Sequence, residues 1–561
     1  MVKRVVKCWT LPGLLVFLFC FSLYLAITRI YQVDETQSAF MARILGTHQT
    51  STYFTNAPLW MLGPVSWLAR IGQSSTDVLL WFRLLFLGIF WSNLVLMALN
   101  TGVDLKTPRG LAVFLGACTL APLWDYGFEI RHDNLLLLTL LLMWWLGRTR
   151  PMGTRSYFLL GFLAVGLEFV AFKAFVYTIP ISALFLLFPP PSHQTSHSRL
   201  LVSWLAGALL SFALCLLAYK ATGLWPIFMA GFKGVAGGSM RITRFSPWQA
   251  LQRLPAQTPL LLAITTGAIA TLAQQARHNF RTFLTWDGAL PEAFLFIASV
   301  AALFSNPTPF PYNLLNVVPF AFLLSARHLL SALGDKKVDP STWSLAGGIL
   351  VFAHLVPFSI ATWRHLDHPN DRQELLIKTA ESLTDPKTDP VYDAAGLVLT
   401  RPSIHYIWYL HSLNVRKFNG VEAPTIRNLI KAKPPAVLIP NYRTEWLPKE
   451  DWDYIRTQYV PLADDFWVLG QVLPPGGGAF DLLKSGRYVV VGRKDGIATR
   501  CEDLSLDGKP IQDMPAFIEA GSHRLTCTSG VQPIAIWIGP NRTSLPVLGE
   551  GNHHNLFWNW Y

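Results

Sequence analysis

Long apolar runs separated by basic or proline-containing loops fill the chain up to about residue 365; beyond that point short apolar runs alternate with polar stretches. The first run, Leu11 to Ile30, has the length of a bilayer-crossing helix, about 20 residues. Runs near 78–99, 109–124, 133–147, 156–172, 174–188, 200–219, 259–273, 291–304, 312–332 and 342–362 predict further spans, about eleven in all. The stretch 156–188 is too long for one span and short for two. Arg148, Arg150 and Arg155 precede it, and His193, His197 and Arg199 follow it. Short basic loops stay on the cytoplasmic side, so two segments with a tight turn near Lys173 must lie between them. Lys106 and Arg109, Arg277 and Arg281, and Lys336 and Lys337 fall on the same side. An odd number of spans from a cytoplasmic N-terminus then puts the region after about residue 365 outside. Just past the first span, Phe40, Met41, Ile44 and Leu45 recur at helical spacing, which predicts a helix lying along the membrane interface.

In the outer half, Val391 to Leu399 and Ala436 to Pro440 read as short buried strands. Helical stretches near 403–412, 424–432 and 448–457 alternate with them, as in an α/β layer. After Gly476-Gly477-Gly478 the pattern becomes one of short strands, with Asp507-Gly508 as a hairpin signal. The expected division is a membrane domain over 1–365, an extracytoplasmic α/β domain over 366–475 and a small β-sandwich-like module over 476–561.

Composition agrees. Of 561 residues, 52% are hydrophobic and only 14% charged, against roughly 25% charged in soluble domains, and the mean hydropathy is +0.34. The chain therefore reads as a polytopic integral membrane protein. Its net charge of +12 lies largely in short loops where lysine and arginine set orientation, so it does not indicate nucleic-acid binding. Lys3, Arg4 and Lys7 open the first helix like a signal peptide, but the apolar run is longer than a signal core and no small-residue cleavage site follows. It is read as an uncleaved span. Cys8, Cys20, Cys118 and Cys215 lie in or beside membrane segments. Cys501 and Cys527 stand alone together in the last stretch, either as a disulfide or as two thiols.

The unusual polar residues gather on the outer side. Asp34 and Glu35 sit at the mouth of the first helix, as a solvated helix end or as a catalytic pair. Asp125, Glu129 and Asp133 would share one stripe if their stretch were a single helix, although Pro122 and Gly127 argue against that, and Arg131 lies among them. Such a stripe raises a carboxyl pKa or calls for a cation. Glu168 and Lys173 are charges within the predicted hairpin, which insertion scales penalise by roughly 2.5–3.5 kcal/mol at a helix centre. Lys173 either snorkels or faces a cavity that receives an anion. The long outer loop carries Lys233, Arg241, Arg244 and Arg253 among glycines, suited to a phosphate head group or to anionic lipid. GxSxG, HExxH and P-loop motifs are absent. The tail Phe557-Trp558-Asn559-Trp560-Tyr561 either packs back towards the membrane interface or binds sugar.

Taken in order, these features resemble the GT-C type glycosyltransferases of the protein O-mannosyltransferase and lipid A aminoarabinose transferase superfamily. The resemblance is carried by a first helix leading into Asp34-Glu35, then Ala42-Arg43, Gly46 and Pro58-Leu59. Arg131-His132-Asp133 opening a leucine-rich helix, and the stretch from Gly161 through Gly166-Leu167 to Lys173, add to it. It covers most of residues 5–360. Residues 390–470 resemble the outer domain of bacterial members. Asn56-Ala57 stand where the family usually has a histidine before Pro-Leu, and the terminal β module is not a general feature of the family. The resemblance implies a polyprenyl- or dolichyl-phosphate sugar donor, a glycan, lipid or protein acceptor, inversion at the anomeric carbon, and a bacterial inner membrane. It implies Asp34 as the base, with Glu35 and Asp133 orienting the acceptor or tuning that base. Sidedness adds Arg131, Lys173, Arg241 and Arg244 as groups for the substrate and its leaving phosphate. No cofactor is required, although a divalent cation near Asp125, Glu129 and Asp133 is an option. The alternative is a transporter or flippase of polyprenyl-linked glycans, with its acids in mid-membrane for proton coupling. No internal repeat supports that reading.

Overall fold

A computed structural model describes residues 2–45, 59–61, 63–148, 153–188, 196–236, 246–278, 290–306, 309–333, 351–405, 410, 418–421, 423–495, 497–499, 501–527 and 530–558. The membrane half is helical, and several of its helices start where the sequence offers a cap or a proline. α1 (Val2–Thr28) leads through an extended link into α2 (Val33–Ile44). α3 (Pro64–Ile71) precedes α4 (Ser75–Asn100), which opens with Ser74 and Asp77 each accepting the other's backbone N–H. α5 (Pro108–Cys118) has Thr107 as its cap and proline in the first turn. The short α6 (Ala121–Tyr126) is followed by an irregular stretch and then α7 (His132–Arg148). α8 (Thr154–Glu168) and α9 (Phe175–Leu187) flank a turn that includes Lys173, so 156–188 is two helices, as the basic loops require. The remainder comprises α10 (His197–Ala221), α11 (Trp225–Ala236), α12 (Pro247–Leu251), α13 (Leu254–Gln257), α14 (Pro259–His278), α15 (Leu290–Ser305), α16 (Val318–Leu333) and α17 (Val356–Trp363).

Five described segments are long and apolar enough to cross a membrane: Leu11–Thr28, Ser75–Asn100, His197–Ala221, Pro259–His278 and Pro311–Ser331. The apolar helices α5, α9, α15 and α17 are shorter. Five of the expected spans thus have a helix of full crossing length among the described residues. Val16, Phe17, Leu209 and Leu217 point outward from α1 and α10, as on helices facing lipid.

Hydrogen bonds tie the two ends of the bundle separately. At one end, Arg29 donates to the carbonyls of Trp124 and Asp125, and Asn370 donates to those of Ile27 and Thr28. At the other, Arg148 meets Glu292 at 3.1 Å, Asn100 donates to the Leu141 carbonyl, and Arg109 donates to the Leu330 carbonyl. Arg109 and Arg148 thus share the end away from Asp34.

The C-terminal half, from about residue 366, rests directly on α2 and α4. Its first helix, α18 (Asp371–Leu383), exchanges two hydrogen bonds between Gln373 and the backbone of Tyr31. Glu381 Oε1 accepts from the backbone N–H and hydroxyl of Ser75, and Thr36 donates to the Ala395 carbonyl at 3.0 Å. Phe40 and Ile44 share a core with Phe82, Leu376 and Ile377. This corrects the expectation for α2: its apolar face is buried between two halves of the protein, because α18 supplies a second apolar partner where only lipid was expected.

The helices α19 (Ile426–Ala432) and α20 (Lys449–Gln458) complete the α/β part. The expected helix near 403–412 lies mostly outside the described residues. The strands are β1 (Val391–Tyr392), β2 (Val437–Leu438), β3 (Tyr459–Ala463), β4 (Phe466–Val472), β5 (Gly477–Leu482), β6 (Gly486–Lys494), β7 (Ile497–Thr499), β8 (Ser505–Leu506), β9 (Lys509–Pro510), β10 (Ala516–Ile518), β11 (Gly521–Thr526) and β12 (Gln532–Trp537). β1 and β2 are parallel, and the main sheet continues in the order β1-β2-β4-β12-β6-β10, with β3 on β4 and β7 on β6. A second sheet runs β5-β11-β8-β9. Because β4 pairs antiparallel with β12, Ile534 opposite Val472, the expected boundary at 475–476 falls inside one hydrogen-bonded sheet. The β-rich segment therefore does not close on itself as a separate module. Asp507 and Gly508 both have positive φ, 50° and 79°, and join β8 to β9 as the two-residue hairpin that their sequence signals. Cys501 and Cys527 are bonded to each other, with Cα atoms 5.5 Å apart.

Candidate functional site

The end of α1, the start of α2, the second and third turns of α4, the α6–α7 link and the α8–α9 turn converge on a cluster of alternating charges. Glu35 is fully buried. It receives two hydrogen bonds from Arg83, Nε at 2.9 Å and Nη2 at 2.7 Å, and others from the backbone N–H groups of Gln32 and Ile130. Arg83 also donates to the carbonyls of Arg29 and Ile30, which closes off the end of α1, and lies over the Tyr31 ring at 4.1 Å. Burial by itself raises the Glu35 carboxyl, but the Arg83 guanidinium outweighs it and holds the group below the usual range. Glu35 is thus a brace that fixes the mouth of α1, with both carboxylate oxygens engaged by the protein.

Asp34, its neighbour, has a side chain 35% exposed and accepts from Arg131 Nη1 at 2.6 Å. The same guanidinium stands 3.5 Å from Asp133 Oδ2 and 3.7 Å from Glu129 Oε2, and lies over the Tyr312 ring at 3.7 Å. Asp133, fully buried at the start of α7, is held by Lys173 from the α8–α9 turn. Lys173 also donates to Asn313 Oδ1 at 3.1 Å, and Asn306 donates to that oxygen at 3.0 Å. Asp34, Arg131, Asp133 and Lys173 are therefore one connected row. Glu168 lies apart from it and accepts from the Thr178 hydroxyl.

The carboxylates of the α6–α7 region do not form a stripe, because the helix stops at Tyr126 and resumes at His132. Asp125 turns to Arg364, His365 and Gln257, all within 3.0 Å. Glu129 faces Arg29 at 3.5 Å as well as Arg131, while Asp133 faces Lys173. Glu129 and Asp133 share Arg131, whereas Asp125 keeps to Arg364 and His365, so the three do not line up as one stripe. Glu129 is fully buried and neither of its oxygens accepts a hydrogen bond among the described residues. Burial lifts its carboxyl to about 8, with Arg29 pulling down and Glu35 pushing up.

Arg241 and Arg244 lie outside the described residues, as do Gly46 and the Asn56-Ala57-Pro58 stretch. Arg29 and Arg83 are not among the site residues that the sequence predicts. Both are lone arginines inside apolar runs, and an intramembrane charge of that kind is itself a signal of function or structure. Asn313 and Tyr312 carried no comparable signal beyond the proline-rich turn that holds them. An apolar cleft of about 290 Å³, lined by Leu254, Leu261, Phe296, Val300, Val317 and Ala321, begins at the residue after the 3-10 turn Pro311–Asn316.

No protein-family profile matches this chain, and no curated protein matches it in sequence. Among solved structures it is similar to the oligosaccharyltransferase of Archaeoglobus fulgidus, determined with a disulfide-tethered acceptor peptide containing the NVT sequon. That similarity has 13% identity, covers 83% of this chain and 72% of that one, and has a TM-score of 0.41. A likeness this loose assigns neither fold nor activity, so the functional reading rests on the charged row itself.

Proposed function

We propose that the chain is an integral-membrane glycosyltransferase that moves a sugar from a polyprenyl-phosphate donor to an acceptor on the outer face, with inversion and with Asp34 as the base. The observation that carries this reading is the single guanidinium of Arg131 joining half-exposed Asp34 to buried Asp133 and, through it, to Lys173. An acceptor hydroxyl attacking the anomeric carbon must give up its proton as the C1–O bond to phosphate breaks. A carboxylate positioned to take that proton is worth typically 10²–10⁴-fold. Asp34 suits the task because it is the exposed acid of the row. Lys173 suits the leaving phosphate, whose growing charge a fixed cation stabilises. Arg241 or Arg244 is proposed to hold the same phosphate with Lys173.

Charge balance supports an anionic substrate. The cluster holds Arg29, Arg83, Arg131 and Lys173 against Asp34, Glu35, Glu129 and Asp133. With Glu129 protonated near neutral pH, the cations exceed the carboxylates by one. The apolar cleft beside the Pro311–Asn316 turn suits a prenyl chain entering from the bilayer. Asp34 and Glu35 lie in α2, beyond the membrane helices, which favours surface transfer chemistry over the mid-membrane proton coupling of a flippase.

The test is to incubate the purified chain with a panel of polyprenyl-phosphate sugars and follow released lipid phosphate. Asp34→Asn should abolish release while the melting temperature stays within a few degrees of wild type. Undiminished turnover in that variant would reject Asp34 as the base.

A further inference from the structure

Away from the charged row, three segments distant in sequence bring together Glu445, Asp464, His553 and His554. Glu445 comes from the 3-10 turn Thr444–Trp446, Asp464 from the turn between β3 and β4, and the histidines from the 3-10 turn His553–Asn555. Asp464 Oδ2 accepts from the backbone N–H of His553 at 3.0 Å and from its Nδ1 at 2.5 Å. An ionised carboxylate has no proton to give, so Nδ1 carries the hydrogen and Nε2 of a neutral ring presents its lone pair. Nε2 lies 3.6 Å from another acceptor, Glu445 Oε1. The same oxygen lies 2.7 Å from His554 Nδ1, and the two imidazole rings are 4.0 Å apart. Two acceptors at this range leave room between them for a proton or a metal ion. A proton here would put an imidazolium against a second imidazole that shares the same carboxylate.

We propose that Glu445, His553 and His554 bind a zinc ion, with Asp464 orienting His553 from behind. One ligand atom from each of the three lies within 4.8 Å of the others. Tetrahedral zinc with bonds of about 2.0–2.1 Å asks for roughly 3.3 Å, a closure that small side-chain rotations supply at partly exposed residues. Two imidazole nitrogens and one carboxylate oxygen form a borderline donor set that favours zinc over magnesium or calcium. The carboxylate–histidine pair is the usual device for fixing the tautomer of a ligating ring. Three protein ligands leave a fourth position for water. The ion would clasp the C-terminal segment, whose Phe557 is buried beside Tyr442 and whose Trp558 stacks on His368, against the rest of the C-terminal half.

The test uses the full-length protein stripped with a chelator and titrated with Zn²⁺ against a chromophoric competitor, with Co²⁺ as a visible-absorption probe of coordination. Wild type should take up one equivalent with micromolar or tighter affinity. Glu445→Gln and the His553→Ala/His554→Ala double variant should lose that equivalent, and Asp464→Asn should weaken it 10–100-fold. Zn²⁺ should also slow proteolysis within residues 545–558 in wild type and leave it unchanged in the double variant. Uptake that persists in the double variant, or wild type that binds no Zn²⁺ at a tenfold excess in the micromolar range, overturns the proposal and leaves a proton-bridged ion network.

Discussion

Asp34 and Glu35 are adjacent in sequence but occupy opposite electrostatic situations. Glu35 has both oxygens bonded to Arg83 in a fully buried pair, and removing one partner of such a pair costs about 3–5 kcal/mol. Asp34 is partly solvated, and its partner Arg131 retains Glu129 and Asp133 nearby, so its loss should cost no more than about 1 kcal/mol. Thermal denaturation in detergent should therefore show a large fall in stability for Glu35→Gln and a small one for Asp34→Asn, while Asp34→Asn alone combines a near-normal fold with lost transfer. Glu129 gives a pH signature. Its carboxyl titrates near 4.5 when unfolded and near 8 when folded. Between these values the unfolded chain has lost a proton that the folded chain keeps. The contribution is complete below about 4.5 and is lost progressively as pH rises to about 8. Glu129→Gln should remove that decline from a melting-temperature profile taken between pH 4 and 9.

Among the elements, α8 and α10 pack through reciprocal glycines. A Cβ on Gly161 would collide with the Trp204 carbonyl, and one on Gly207 with the Phe158 carbonyl. Small residues of this kind let helix backbones approach closely in a bilayer. Gly207→Val should push the pair apart, cost about 1–3 kcal/mol, and shift the turn that carries Lys173; a reduced melting temperature together with impaired release of lipid phosphate would register both. The Gly161 that the family resemblance singles out thus has a packing role. In the C-terminal half, the Cys501–Cys527 bond closes a separation of 26 residues, worth about 3–4 kcal/mol by chain entropy. Reduction, or a double serine variant, should lower the stability of the domain that shares the main sheet by that order, read from its urea midpoint.

For the molecule as a whole, the sheet that runs from β1 through β4 into β12 and β6 changes what truncation means. Deleting residues 480–561 strips β12 from the edge of β4 and removes Phe557 from the core that α2 and α18 share. Loss of the whole C-terminal domain is the expected outcome, seen as aggregation or lost melting cooperativity. Much was legible along the chain: the apolar segments, the break at Lys173, the acids after the first helix, the Asp507-Gly508 hairpin and the two cysteines set apart from the rest. These follow from hydropathy, charge and turn chemistry, which act between near neighbours. The partners were not legible. Glu35 meets Arg83 across 48 positions, Asp34 meets Arg131 across 97, and Tyr31 meets Gln373 across 342. Which carboxylate takes which cation, which face of α2 is covered, and which strand continues the sheet depend on where whole elements pack. Local periodicity leaves those distances open; burying charge and unpaired backbone away from water fixes them, because each buried group must find its partner in space.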